Sequence, residues 1–239
     1  MPHRFFNFLL DLFFPWTCLY CHQEVINDYP LCDHCFKQIP VATDFICPHC
    51  HKLLIPETKH YSCSRYTKLD ALGSVSSYGN QILRETIHWF KYNKIISLRK
   101  PLALLMIKFL EQSFYFSQIG KEDLIIIPLP LHQKKKKQRG FNQSELLAQD
   151  IADHFYLSCD KNILIRIKNN SAQVNIVDSA QRKLNVANIF QVNNNQNLYN
   201  KTILLIDDVY TTGATLNEAA KTLKKAGAKK VIGLVLAKG

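Results

Sequence analysis

The chain has 239 residues, with 30 Lys and Arg against 19 Asp and Glu, a formal net charge of +11 at pH 7. Seven of its eight cysteines lie between Cys18 and Cys63, and six basic residues balance six acidic ones in residues 1–68, so the whole charge excess belongs to the remainder. Thiols paired at C-x-x-C spacing suggest metal or redox chemistry rather than a disulfide framework, and the division predicts two units: a small metal-assisted module at 1–68, and a basic domain at 69–239 large enough to bury its own core.

The chain opens on an apolar run, Phe5 to Phe14, interrupted by Asn7 and Asp11 and followed by Pro15 and Trp16. The run is too short to cross a bilayer, and no small-residue cleavage site follows it. We expect a short helix packed on the body of the protein, with a peripheral membrane foot as the other possibility. The expected location is therefore the cytoplasm, or its periphery at the inner face of the membrane, with no transmembrane segment.

Next come Cys18-x2-Cys21 and Cys32-x2-Cys35, then Cys47-x2-Cys50 and, twelve residues on, Cys63. A C-x-x-C knuckle aims two thiolates at one ion, and two knuckles supply the tetrahedral sulfur set of a closed structural zinc site. Cys18, Cys21, Cys32 and Cys35 complete such a set. For the second set, Tyr66 stands where a matching knuckle would place its fourth ligand, and His60 offers a Cys3His alternative. Either Cys47, Cys50, Cys63 and His60 hold a second zinc, or this site has lost its metal and persists as a packed loop. His22, His34, His49 and His51 are expected to be exposed or knuckle-turn residues. A neutral module without a basic stripe is a poor reader of nucleic-acid sequence and better suited to a structural or docking role.

From about residue 70 the pattern changes to alternating helices and short, continuously apolar strands. Helices are expected at 80–92, 98–113, 143–155 and 215–226, and strands at 124–127, 163–167, 202–206 and 231–236. This alternation predicts an α/β fold with a parallel sheet and helices on both faces, where ligands gather at the carboxyl ends of strands. Five positive charges crowd Lys134 to Lys137 and Arg139. They form either a solvated loop or a mobile pyrophosphate clamp, in which Arg139 is favoured because a guanidinium binds two phosphate oxygens at once. Lys91, Lys94, Arg99 and Lys100 form a second basic cluster. Lys221, Lys224, Lys225, Lys229 and Lys230 form a third, on a solvated helix face or a DNA-facing surface. The strand at 202–206 runs through Asp207 and Asp208 into Val209-Tyr210-Thr211-Thr212-Gly213-Ala214-Thr215, where a helix begins. Unpaired N–H groups at that helix start suit a phosphate, the threonines add hydroxyl donors, and Gly213 permits close approach.

The string from Ile203 to Thr215 resembles the ribose-phosphate loop of type I phosphoribosyltransferases. Pro128 to His132, followed by the basic stretch and Arg139-Gly140-Phe141-Asn142-Gln143, resembles the ComF/GntX family. So do Gln173, Arg182, Asn185 and Phe190, and Ser76 to Lys91 resembles that family's first strand and helix. The family also begins with a double zinc ribbon, so the likeness covers essentially the whole chain. It implies a type I phosphoribosyltransferase domain binding 5-phosphoribosyl-1-pyrophosphate (PRPP) with Mg²⁺. Asp207 and Asp208 would hold the ribose hydroxyls, directly or through Mg²⁺ and water, and Thr211, Thr212, Gly213, Ala214 and Thr215 would wrap the 5-phosphate. Lys91, Lys135 and Arg139 would complete the ligand set, with Asp207, Asp208 and Arg139 as the catalytic candidates. Two positions depart from the family pattern: Tyr66 replaces a cysteine, and Lys135 replaces a more usual arginine, which loses a bidentate phosphate contact. The resemblance implies a competence protein that handles imported single-stranded DNA in natural transformation. A phosphoribosyltransferase with an unknown acceptor, such as a nucleobase, and a ribbon that docks a helicase or DNA-uptake complex are the other readings.

Overall fold

The structure, a computed structural model, describes residues 17–55, 61–168, 188–193 and 197–239. The N-terminal apolar run, His60, Gln173, Arg182 and Asn185 lie outside the described residues.

The cysteine-rich segment contains two knuckles of one design. In the first, the amide of His22 donates to the carbonyl of Cys18 (2.8 Å), that of Cys18 to Gln23 (2.8 Å), and Thr17 bridges Glu24. In the second, His51 donates to Cys47 (3.0 Å), Cys47 to Lys52 (2.8 Å), and Ile46 bridges Leu53. His22 and His51 both turn the chain in the left-handed region, at φ 61° and 59°. They are knuckle-turn residues, as their spacing predicts. Between the knuckles, helix α1 (Asp33–Lys37) starts on Cys32, whose sulfur accepts the amide of Cys35. Strand β1 (Phe45–Ile46) leads into the second knuckle, and a 3-10 turn (Tyr61–Cys63) carries the last cysteine.

The second unit runs through β2 (Ala71–Ser77), α2 (Gln81–Tyr92), α3 (Arg99–Gln112), α4 (Phe114–Ser117), β3 (Leu124–Pro128), α5 (Gln133–Arg139), α6 (Gln143–Phe155) and β4 (Ser158–Cys159). It continues with β5 (Leu164–Arg166), β6 (Phe190–Val192), β7 (Thr202–Tyr210), α7 (Ala214–Lys225) and β8 (Lys230–Lys238). The main sheet has the order β1-β2-β8-β7-β3-β4 and is parallel except for β1. Its central strands are apolar on both faces because both are covered. Leu204 and Ile206 of β7 face one cluster, with Phe90 of α2, Met106 of α3 and Leu147 of α6. Ile203 and Leu205 face the other, with Leu216, Ala219 and Leu223 of α7.

The cysteine-rich segment is not a separate bead. Phe45 of β1 pairs with Gly73 of β2 and is fully buried, its ring 5.2 Å from Phe109 and 5.0 Å from Tyr115. A Cβ on Gly73 would come within 2.7 Å of the Phe109 ring and 2.8 Å of the Phe45 ring, so glycine is what lets these rings close over the sheet. Lys100 of α3 pairs with Asp28 of the first half of the ribbon.

Three expectations change. The segment at 163–167 does not join the main sheet; β5 pairs antiparallel with β6 in a separate two-stranded sheet. The basic stretch is a helix rather than a loop: His132 caps α5, and Gly140, at φ 87°, ends it. The first strand starts at Ala71, ahead of Ser76. Among the described residues, no helix is long and apolar enough to cross a membrane.

Candidate ligand and metal sites

The sulfurs of Cys18, Cys21, Cys32 and Cys35 all lie within 4.8 Å of one another, with Cys21 and Cys32 at 3.5 Å. A zinc ion bound at about 2.3 Å spaces its sulfurs roughly 3.8 Å apart, so this set fits zinc without rearrangement. Burial pushes the Cys18 thiol up, but amides of Cys21, Cys32 and Tyr20 outweigh it and hold the thiol at about 7. Burial and the neighbouring thiols push Cys35 up, so full ionisation of the group calls for a cation. Cys47, Cys50 and Cys63 form a second set within 4.8 Å. These three sulfurs fit a tetrahedral ion that takes one further ligand. Tyr66 is more than half exposed and stacks on His49, with ring centroids 4.4 Å apart.

The second unit gathers its charged residues where β7 ends. The Asp208 carboxylate pairs with Lys91 of α2 at 2.6 Å, and both side chains are largely buried. Asp207 accepts from the Asp208 amide (2.9 Å) and the Ser144 hydroxyl (3.2 Å). Burial and the adjacent Asp208 charge push the Asp207 carboxyl up to about 7, against the pull of Lys91. Burial lowers the Lys135 ammonium, as do the nearby charges of Arg166, Arg139 and Lys91. Four cations thus share this space with two carboxylates, one of which holds its proton up to neutrality. The excess positive charge suits a polyanion.

Helix α5 sorts the basic stretch by its own period. Lys135 and Arg139, four residues apart, are half-buried and close enough to Lys91 for the charges to repel, while Lys134, Lys136 and Lys137 are exposed. Each residue of Arg139-Gly140-Phe141-Asn142-Gln143 then has a task. Gly140 stops α5, and the Phe141 ring packs 5.4 Å from that of Phe90. Asn142 caps α6 and donates to the Leu129 carbonyl (3.0 Å), while Gln143 accepts from Arg139 (3.0 Å). The Arg139 guanidinium also lies over the Tyr92 ring, 5.1 Å from its centroid. After β7, Thr211 to Gly213 form a partly exposed bend, and Ala214 and Thr215, half-buried, open α7. Gly213, at φ 71°, starts α7 without a side chain of its own to cap it, and the Ala214 amide donates to the Thr212 hydroxyl at 3.5 Å. A helix start leaves its first N–H groups without intrahelical partners, so those of Thr215 and Leu216 can meet a ligand or water.

The structure therefore brings together Lys91, Lys135, Arg139, Asp207, Asp208 and the 211–215 loop. Arg166 and Ser144 join them and were missed. Arg166 sits on a segment expected in the main sheet, and a serine in a helix carries no signal of its own. The other basic clusters are partly tied down: Arg99 pairs with Asp150, Lys224 with Asp70, and Lys230 lies over the Tyr115 ring.

Comparison with known proteins gives two family matches. The phosphoribosyl transferase domain family model matches residues 142–239, and the double zinc ribbon family model matches residues 9–66. Fold and matches together define a protein with a type I phosphoribosyltransferase fold carrying a double zinc ribbon. Competence protein F of Haemophilus influenzae is 30% identical over 225 residues, 92% of this chain and 95% of that protein. Competence protein ComFC of Bacillus subtilis is 31% identical, over 89% of this chain and 84% of its own length. The DNA utilization protein YhgH of Escherichia coli K12 is 26% identical, over 91% and 94%. The chain belongs to the ComF family of competence proteins.

Proposed function

We propose that this protein handles imported single-stranded DNA on the cytoplasmic side of the membrane, and that its second unit binds PRPP with Mg²⁺ as part of that task. The observation that carries the PRPP reading is the carboxylate pair at the end of β7, leading directly into the glycine start of α7 and faced by Lys91, Lys135, Arg139 and Arg166. Asp207 and Asp208 take the ribose hydroxyls, the 211–215 loop takes the 5-phosphate, and the cations take the pyrophosphate. Bound Mg²⁺ supplies charge neutralisation of that pyrophosphate. In phosphoribosyl transfer the anomeric C–O bond to pyrophosphate breaks, positive charge develops on the ribose, the acceptor's nucleophilic atom bonds the anomeric carbon, and pyrophosphate leaves. The protein's part is to position the ligand and stabilise the leaving group, with no protein nucleophile required. The cysteine clusters hold zinc: one ion at Cys18, Cys21, Cys32 and Cys35, and a second at Cys47, Cys50 and Cys63 with His60 as the proposed fourth ligand.

The DNA reading is supported by the names of the relatives and by the net charge of +11. Fluorescence anisotropy of a labelled oligonucleotide, titrated with the intact zinc-loaded chain across a salt series and repeated with Mg²⁺ and PRPP, tests it. The reading requires binding that weakens steeply with salt. No binding at low salt would remove the nucleic-acid role and leave the ribbon as a protein-docking surface.

A further inference from the structure

The chain around the second cysteine cluster touches the residues on either side of the 211–215 segment, Tyr210 and Asn217. Tyr210 closes β7, and its buried hydroxyl donates to the carbonyl of Pro48 at 3.3 Å. Pro48 is the residue that follows Cys47 within the Cys47–Cys50 knuckle. The Tyr210 ring also lies directly against Gly213. A Cβ there would come within 2.2 Å of the phenolic oxygen, 2.3 Å of Cζ and 2.5 Å of Cε2. A second contact comes from Asn217 in the first turn of α7. Its side-chain oxygen accepts from the Lys68 amide (2.6 Å) and the Thr67 hydroxyl (3.1 Å), both in the segment that leaves Cys63. Between the two contacts lies a cavity of about 200 Å³, lined by Pro48, His49, Tyr66, Thr212, Gly213 and Asn217 among others. Both pieces of chain that carry Cys47, Cys50 and Cys63 thus grip the loop and the helix start behind it.

We propose that this second cluster is part of the phosphate-binding apparatus. Closing Cys47, Cys50 and Cys63 on an ion fixes the knuckle and the segment after Cys63. Tyr210 and Asn217 transmit that position to Thr211–Thr215. They are positioning residues: each acts through the loop rather than on the ligand. The inference rests on the reading of this loop as a PRPP site. It also has a reciprocal consequence, because if zinc tightens PRPP binding, PRPP must tighten zinc binding by the same factor.

The test uses the full zinc-loaded chain. Zinc release to a chromogenic chelator is followed with and without Mg²⁺ and PRPP, and PRPP affinity is measured by calorimetry. The second-cluster zinc is identified as the fraction missing from Cys63→Ser. We expect PRPP to slow release of that fraction in the unmodified chain. Tyr210→Phe keeps the ring against Gly213 and removes only the hydroxyl, and Asn217→Leu removes the acceptor. Each should weaken PRPP binding about fivefold, the net worth of one hydrogen bond, and lessen the slowing at unchanged zinc content. Asn217→Asp retains an acceptor and should restore both. The coupling is overturned if the second-cluster fraction is absent, or if PRPP leaves its release unchanged in the unmodified chain. It is equally overturned if Tyr210→Phe and Asn217→Leu both behave as the unmodified chain. If the unmodified chain does not bind PRPP at all, the reading of the loop fails and the coupling falls with it.

Discussion

Asp207 and Asp208 are neighbours in sequence but stand in different electrostatic surroundings. Asp208 makes an ion pair with Lys91, whereas Asp207 sits between hydrogen-bond donors and a like charge and feels Lys91 only without direct contact. The folded chain holds the Asp207 proton up to about 7, whereas an ordinary aspartate releases it near about 4. In the ligand-free protein, the contribution of this group to stability is therefore greatest below pH 4 and is lost as pH rises through 7. A ligand that requires the ionised carboxylate follows the opposite trend: affinity rises toward pH 7 and levels off above it. Calorimetry with Mg²⁺ and PRPP between pH 5.5 and 8.5 checks this, and Asp207→Asn should flatten the profile. If the variant kept the full slope, the titrating group would lie elsewhere. Among the cations, Lys135→Gln should weaken PRPP while Lys134→Gln and Lys137→Gln leave it unchanged, because only Lys135 and Arg139 of that run face inward. Equal losses at all of them would mean that the stretch acts through diffuse charge alone.

At the scale of elements, the two places where ribbon and sheet meet set the most exacting demands. Gly73→Ala would push a methyl into the Phe45 and Phe109 rings, and Gly213→Ala would combine a strained positive φ with a clash against Tyr210. Each should cost about 1–3 kcal/mol. Only Gly213→Ala should also lose PRPP affinity beyond what stability explains, as thermal melts with and without ligand would show. A Gly213→Ala protein with ordinary stability and ordinary affinity would contradict the loop geometry. Elemental analysis should give between one and two zinc per chain, and Cys18→Ser should lower it. Unchanged zinc content in that variant would put the first site elsewhere. The ribbon and most helices were legible in the sequence because C-x-x-C spacing and helical periodicity are local signals. Helix α6 matches its expected bounds, 143–155. The β5–β6 pair was not legible, since an apolar run cannot reveal which sheet it joins; with it went Arg166. Helix α5 was missed because a run of like charges masks helix propensity, although the cap at His132 and the stop at Gly140 restore it.

For the whole molecule, composition predicts two units, and contacts that composition cannot show link the cysteine-rich segment to the rest. Strand β1 extends the main sheet from the cysteine-rich segment, and Tyr210 and Asn217 reach back to the second cluster. Net charge, by contrast, is read directly from sequence, and its consequence is kinetic and salt-dependent rather than architectural. If single-stranded DNA occupies about four cationic contacts, each contributing a log–log slope near −0.7, the total slope should be near −3. Changing Lys225 and Lys229 to Gln should lower that slope without altering PRPP affinity. The claim on which the rest depends is that the end of β7 is a PRPP site. Its most direct test is calorimetric titration of PRPP into the intact zinc-loaded chain, with and without Mg²⁺. We predict saturable binding at one site per chain that requires Mg²⁺ and disappears in the Asp207→Ala, Asp208→Ala double variant while its melting transition persists. Absence of binding in the unmodified chain, or undiminished binding in the double variant, would contradict the claim.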